Sequence, residues 1–268
     1  MSLSKFPCYK PKPINYRADL RIVGGFDAVQ RETPYMVGLM KHGGVVCGAS
    51  IISEKFLIIA AHCICNNQNH IIKPSQLKAF VGMNKITDVK NEIEDDTIAE
   101  VFIKKIIVHP DYSCGKTSQN DIALLQLESS IKFNDNIQPL CLSTDESQVM
   151  EIGIVTGWGW TNEDLSVGEK PNVLQTADVP IWSNEECQKS YKNLMKTNQI
   201  SDKQMCAGAR NGGIDSCWAD SGGPLINKLS GNLIGVVSTG VGCARKGLPG
   251  IYTRVSHYTK WIRSIVAI

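Results

Sequence analysis

The shortness of the apolar runs is what most limits the fold of this chain. The longest, FLIIAA at 56–61, is strand length, and none approaches the roughly 20 apolar residues of a membrane-spanning helix. The runs YMVGLM, ASIISEKFLIIA, LKAFVG, IAEVFIKKIIVH, IALLQL, IGIVTGWG, NVLQTADVPI, PLIN, LIGVVSTG and GIYTRV are separated by turn residues. That spacing predicts the strands of a sandwich or barrel and not alternating βαβ units. With 268 residues, 43% of them hydrophobic and 20% charged, the chain has enough apolar material for one large all-β domain or two small ones. A net charge of +2, with Lys and Arg scattered, argues against nucleic acid or an acidic membrane as a partner.

Two helices are expected. In SHYTKWIRSIVAI, the residues Tyr258, Trp261, Ile262, Ile265 and Val266 fall at i, i+3, i+4, i+7 and i+8, one face of an amphipathic helix. A shorter helix is expected after Ser183, which would cap it, with Glu185 and Glu186 at its positive start.

Ten cysteines, an even and high count, suit disulfides in an oxidising compartment, so a secreted, extracellular protein is expected. The opening MSLSKFPCYKPKP lacks the apolar core of a signal peptide, so the chain is expected to start after one. No N-x-S/T sequon occurs. Residues 1–21 are rich in Pro and Lys, and the character changes at LRIVGGFDA, which divides the chain into a leader (1–21) and a domain (22–268).

A serine hydroxyl is a weak nucleophile until a base takes its proton, and that base needs a third group to hold its tautomer. His62 in IIAAHCIC, Asp121 in QNDIALLQL and Ser221 in ADSGGPL are candidates for these roles. Singly, each also reads as an ordinary structural residue: a satisfied histidine after a strand, an aspartate capping a turn, a turn serine beside glycines.

Taken together, RIVGG, AAHC, NDIALL, GWG, DSCWADSGGPL and GIYTRV resemble the chymotrypsin-like serine proteases, trypsin-type members above all. The resemblance runs from Ile22 to about Ile268. It implies two six-stranded antiparallel β-barrels with a C-terminal helix, Ser221 attacking the scissile carbonyl, His62 shuttling the proton and Asp121 orienting His62. These roles are the family's own and are carried over with it. It further implies an oxyanion hole from the backbone N–H groups of Ala219 and Ser221. Asp215 would form the base of a specificity pocket for Arg or Lys, with Gly240 and Gly250 as its walls. Cleavage between Arg21 and Ile22 would free an ammonium to pair with Asp220.

The implied disulfides are Cys47 with Cys63, Cys187 with Cys206 and Cys217 with Cys243. Cys8 with Cys141 would retain a cleaved leader, which leaves Cys65 with Cys114. No cofactor is implied. A zinc reading of HCIC lacks a second ligand cluster, and Met83 and Lys90 stand where calcium-binding relatives carry carboxylates.

Three residues depart from the family pattern. Ala219 replaces a usual Gly in the oxyanion loop, Thr239 a usual Trp lining the cleft, and Ile59 a usual Thr or Ser that helps to hold the triad aspartate. Trp218 could cover part of the missing aromatic wall. The expectation is a secreted trypsin-like endopeptidase in its proenzyme form, with protein or peptide substrates, an activating protease and protease inhibitors as partners, and nothing requiring more than a monomer. The alternative is a catalytically impaired homologue that acts as a binding or regulatory protein.

Overall fold

The computed structural model describes residues 8–9, 25–41, 44–89, 97–145, 151–164, 166–192, 200–217 and 219–266. The first half supplies β2 (Met36–Lys41), β3 (Gly44–Ser53), β4 (Phe56–Ile59), β5 (Lys78–Val81), β6 (Ala99–Val101), β7 (Ile103–Val108) and β8 (Ala123–Leu127). The second supplies β9 (Ile152–Gly157), β10 (Gln175–Trp182), β11 (Gln204–Ala207), β12 (Pro224–Asn227), β13 (Leu233–Thr239) and β14 (Gly250–Arg254), joined at its edge by β1 (Phe26–Asp27).

All named strand pairs are antiparallel, and they form two sheets. The second sheet runs β10-β11-β14-β13-β12-β9, and β9 pairs back onto β10, so these six strands close a barrel. The first sheet runs β6-β5-β2-β3-β4-β8-β7 and curls without such a closing ladder. Only Phe102 separates its two edge strands in the chain. The architecture is thus the chymotrypsin-like one, with one barrel closed by hydrogen bonds and its counterpart a curled sheet.

The apolar runs lack a polar alternate because both faces of these strands are buried. Along β4, Leu57 and Ile59 belong to the core inside the first sheet, while Ile58 between them joins the cluster shared by the two halves. Leu125 and Leu124 of β8 divide in the same way. In the second sheet Leu225 and Val237 point into the barrel, and Ile226 and Val236 toward the shared cluster. Two-residue periodicity sends alternate side chains to two different apolar cores.

Helix α1 (Asn184–Tyr191) starts with a capping box: Ser183 Oγ accepts from Glu186 N at 3.1 Å and the Glu186 carboxylate accepts from Ser183 N at 3.4 Å. Helix α2 covers Thr259–Ile265 only, because Val255–Tyr258 winds as a 3₁₀ turn before it and Val266 is already extended. Tyr258, Ile262 and Val266 are nevertheless buried in the shared cluster.

Five disulfides join Cys8 to Cys141, Cys47 to Cys63, Cys65 to Cys114, Cys187 to Cys206 and Cys217 to Cys243. The first anchors the N-terminal segment at residues 8–9, assisted by Tyr9, whose N–H donates to Pro139 O at 2.7 Å and whose hydroxyl donates to Glu32 O at 3.0 Å. Arg21, Ile22, Lys90 and Trp218 lie outside the described residues.

Candidate active site

A cleft of about 920 Å³ lies between the two sheets and is lined by His62, Asp121 and Ser221. His62 sits in a 3₁₀ turn, Ala61–Ile64, immediately after β4. Asp121 precedes β8 and follows Asn120, whose φ of 55° gives the turn a left-handed step that Asn tolerates. The Asn120 side chain is held in turn: its Oδ1 accepts from Tyr258 Oη at 3.1 Å and Lys203 Nζ at 3.0 Å.

Asp121 is buried and grips His62 at two points. Oδ1 accepts from the His62 backbone N–H at 2.8 Å, and Oδ2 lies 2.7 Å from His62 Nδ1. Ser238, which the sequence reading did not single out, donates its hydroxyl to the same Oδ2 at 2.5 Å, and Thr253 Oγ1 donates to the Asp121 carbonyl at 2.8 Å. The aliphatic Ile59 supplies none of these bonds; Ser238, at the end of β13, supplies a hydroxyl to the carboxylate instead. Burial of the His62 ring disfavours its charged form, but the hydrogen bond and charge of Asp121 outweigh that and raise its pKa above the ordinary value.

Ser221 occupies a loop pressed against the first sheet. Gly48 N donates to Ser221 O at 2.8 Å, and a Cβ on Gly222, with its φ of 80°, would lie 2.4 Å from Gly48 O. The Ser221 hydroxyl is not hydrogen-bonded to His62 Nε2 in this arrangement, although both face the cleft; Nε2 lies 3.8 Å from Cys63 Sγ. Nucleophile and base commonly stand further apart without substrate than in the reacting complex. The backbone N–H groups of Ala219 and Ser221 donate to no acceptor among the described residues, which leaves both available for an oxyanion.

Ala219 has a φ of 75°. The position thus takes the left-handed backbone that a glycine adopts freely, and the alanine Cβ costs about 1–2 kcal/mol there. Ala219→Gly is expected to raise unfolding free energy by about 1 kcal/mol, while kcat changes little because the folded chain already holds the left-handed backbone. Chemical denaturation and single-turnover hydrolysis check the two separately, and no gain in stability removes the strain argument.

Asp215 lies at the base of the cleft, 3% exposed, accepting from Ser216 N at 2.7 Å. A methyl group added at Gly240 would reach 3.8 Å from Gly250 Cα, and one at Gly250 would press to 2.9 Å on Asp215 Oδ1. Two glycines therefore leave a slot above a buried carboxylate. Burial pushes the Asp215 carboxyl up to about 7, although the hydrogen bonds from Ser216 and Gly250 work against it. The Cys217–Cys243 disulfide ties one wall to the other.

Asp220 is also buried, its Oδ1 accepting from Gly159 N at 2.7 Å and its Oδ2 from Cys217 N at 2.8 Å. This explains the GWG motif: a Cβ at Gly157 or Gly159 would lie 2.0 or 2.2 Å from a carboxylate oxygen. Burial pushes the Asp220 carboxyl up to about 6 against these two donors, and no cation among the described residues pairs with it. The sulfurs of Cys47 and Cys63 and a ring nitrogen of His62 lie within 4.8 Å of one another, but the disulfide between the two cysteines removes the thiolates a metal would need.

Fold and cleft together are those of the chymotrypsin-like serine proteases. The family model described as Trypsin matches residues 22–262, and Trypsin-1 of Astacus astacus is 39% identical over 249 residues, covering 91% of this chain and 99% of that protein. The chain belongs to the trypsin family and is a serine endopeptidase.

Proposed function

We propose that this chain is the secreted proenzyme of a trypsin-like endopeptidase that cleaves peptide bonds after Arg or Lys through an acyl-enzyme. Residues 1–21 are the leader and 22–268 the protease. Ser221 forms the ester bond with the substrate acyl group, His62 takes the serine proton and returns it to the leaving amine, and Asp121 holds the imidazole and offsets its charge. The N–H groups of Ala219 and Ser221 stabilise the oxyanion.

The observation that carries the specificity is the buried Asp215 beneath facing glycines. A carboxylate driven up to about 7 by burial gains most from a permanent cation, which an arginine guanidinium or a lysine ammonium supplies. Protease inhibitors that present a basic side chain would compete for the same slot.

Asp220 supports the switch. Cutting after Arg21 frees the Ile22 ammonium, and pairing the two buried charges is favourable where burying either alone is costly. The Cys8–Cys141 bond keeps the leader attached after the cut. In the uncut chain the raised Asp220 carboxyl favours folding in its protonated form; that stability is complete below the ordinary carboxylate pKa and is lost as pH rises through about 6. The ammonium reverses this sign. The melting temperature of the cut chain minus that of the uncut chain is therefore expected to widen between about pH 4 and 7. A difference that does not change with pH contradicts the pairing.

Hydrolysis of a small arginine ester by the chain cut after Arg21, and not by the uncut chain, tests the whole reading. The positive φ of Ala219 favours a second reading, an impaired homologue that binds but does not turn over. Strain of about 1–2 kcal/mol is already carried by the folded chain and does not block turnover, so the enzyme is the better supported of the two.

A further inference from the structure

Two Arg–Glu pairs brace the loops around the basic slot, and one of them is bonded to the slot wall itself. Arg210 donates to both carboxylate oxygens of Glu186, at 3.0 and 3.2 Å, and lies 4.6 Å above the Trp182 ring. Its loop is joined to the next one, Gly213 N donating to Ala244 O at 2.9 Å and Gly247 N to Arg210 O at 3.2 Å. Arg245 likewise donates to both oxygens of Glu163, from Nε to Oε2 at 2.7 Å and from Nη2 to Oε1. The same Oε2 also accepts from the Cys243 backbone N–H at 3.0 Å.

Cys243 belongs to the wall. Val241, Gly242 and Cys243 line the cleft, and a methyl group at Gly240 would lie 3.8 Å from Gly242 O as well as from Gly250 Cα, so this turn borders the slot. The Cys217–Cys243 bond links it to the chain two residues past Asp215. Room for the ion pair comes from Gly242: its φ is 71°, and a Cβ there would lie 2.2 Å from Glu163 Oε2 and 2.4 Å from Arg245 Nε. This glycine therefore serves the contact as well as the turn.

Glu163 is itself anchored at the nucleophile loop, because four residues earlier Gly159 N donates to the Asp220 carboxylate at 2.7 Å. An isolated exposed ion pair contributes little, but a bidentate Arg–carboxylate pair with a third, charge-assisted bond to a backbone N–H fixes geometry. Arg245 and the Cys243 N–H hold the Glu163 carboxyl down at about 2, so it keeps its charge where Asp215 titrates.

We infer that Glu163 is a positioning residue for the basic slot: by holding the Cys243 peptide it sets the wall against which a bound arginine or lysine side chain lies. This rests on the proposed cleavage after Arg or Lys and adds a specificity-determining residue that does not itself line the cleft. Arg245 acts through Glu163, by keeping the carboxylate turned toward Cys243.

The test uses the full chain cut after Arg21, at about pH 8, with benzamidine as the arginine mimic. Glu163→Ala is expected to weaken benzamidine binding about 3- to 10-fold and to raise KM for an arginine ester by a similar factor, with a smaller fall in kcat. The rate at which a small neutral phosphonylating reagent modifies Ser221 reports the catalytic residues without the slot. The loss in benzamidine affinity is expected to exceed any loss in that rate at least about threefold. Glu163→Gln retains an oxygen for the Cys243 N–H and is expected to recover part of the affinity, while Arg245→Ala added to Glu163→Ala costs nothing more. Unaltered benzamidine affinity in Glu163→Ala, equal losses in the two readouts, or a full further loss from Arg245→Ala overturns the inference. Hydrolysis of the arginine ester by the unsubstituted cut chain upholds the parent reading whichever way those ratios fall, and its absence overturns both.

Discussion

Ser221→Ala and His62→Ala, each made in the cut chain, are expected to lower kcat on an arginine ester by about 10⁴- to 10⁶-fold, and the double variant to fall no lower than the worse single one. That size is the one established for serine protease triads and is carried over to this chain. The reason for non-additivity is local: His62 carries the one imidazole among the described residues lining the cleft, and that imidazole, pinned to Asp121 through Nδ1 and the backbone N–H, serves the Ser221 proton. Once either is gone the other contributes nothing. Substrate binding is expected to persist in all three variants because Asp215 and the facing glycines are untouched. Single-turnover rates and the affinity of an unreactive arginine mimic separate the two properties. Additive losses would mean that Ser221 and His62 do not act as one unit.

The second large effect is expected at Asp215. Asp215→Asn keeps the shape of the slot but removes the charge, and losing one partner of a buried ion pair costs about 2–5 kcal/mol, or about 30- to 5,000-fold in kcat/KM for arginine substrates. In the unsubstituted protein the same pair is linked to pH. Only the ionised carboxylate holds the cation, and burial has raised its pKa to about 7, so affinity for the arginine mimic is expected to fall as pH drops through 7, approaching tenfold per unit below it. Binding is accompanied by proton release, measurable by calorimetry in buffers of different ionisation enthalpy. Asp215→Asn abolishes that pH dependence. Affinity that is flat between pH 5 and 8 would place the cation somewhere other than Asp215.

Much of this was legible in the chain, for reasons that differ from element to element. The strands β4, β8, β12 and β13 announced themselves because both of their faces are buried, which leaves unbroken apolar runs. By contrast β11 was missed: its four residues, Gln-Met-Cys-Ala, are too short for a period, and they are held as a strand by pairing with β14 and by the Cys187–Cys206 bond. The C-terminal pattern named the right buried residues but not the 3₁₀ turn, since a spacing of three or four satisfies either helix at the first turn.

At the site, motif residues could be read individually while their supports could not. Ser238 reaches Asp121 from 117 positions away, and no local signal distinguishes it from any other strand-end serine. The glycines of GWG stood out as a motif, but their cause, the space taken by the Asp220 carboxylate, appears only in three dimensions. Ala219 is the reverse case. Its departure from the family was visible at once, and the left-handed backbone it occupies supplies the physical cost.

The central claim, that His62 and Asp121 make Ser221 a nucleophile in the cut chain, is tested most directly by a phosphonylating reagent followed by mass spectrometric mapping of the modified residue. The account predicts one adduct, on Ser221, which forms slowly before cleavage after Arg21, rapidly after it, and is suppressed both by an arginine mimic and by His62→Ala. An unlabelled Ser221 in the cut chain, or labelling that proceeds equally well without His62, would contradict it.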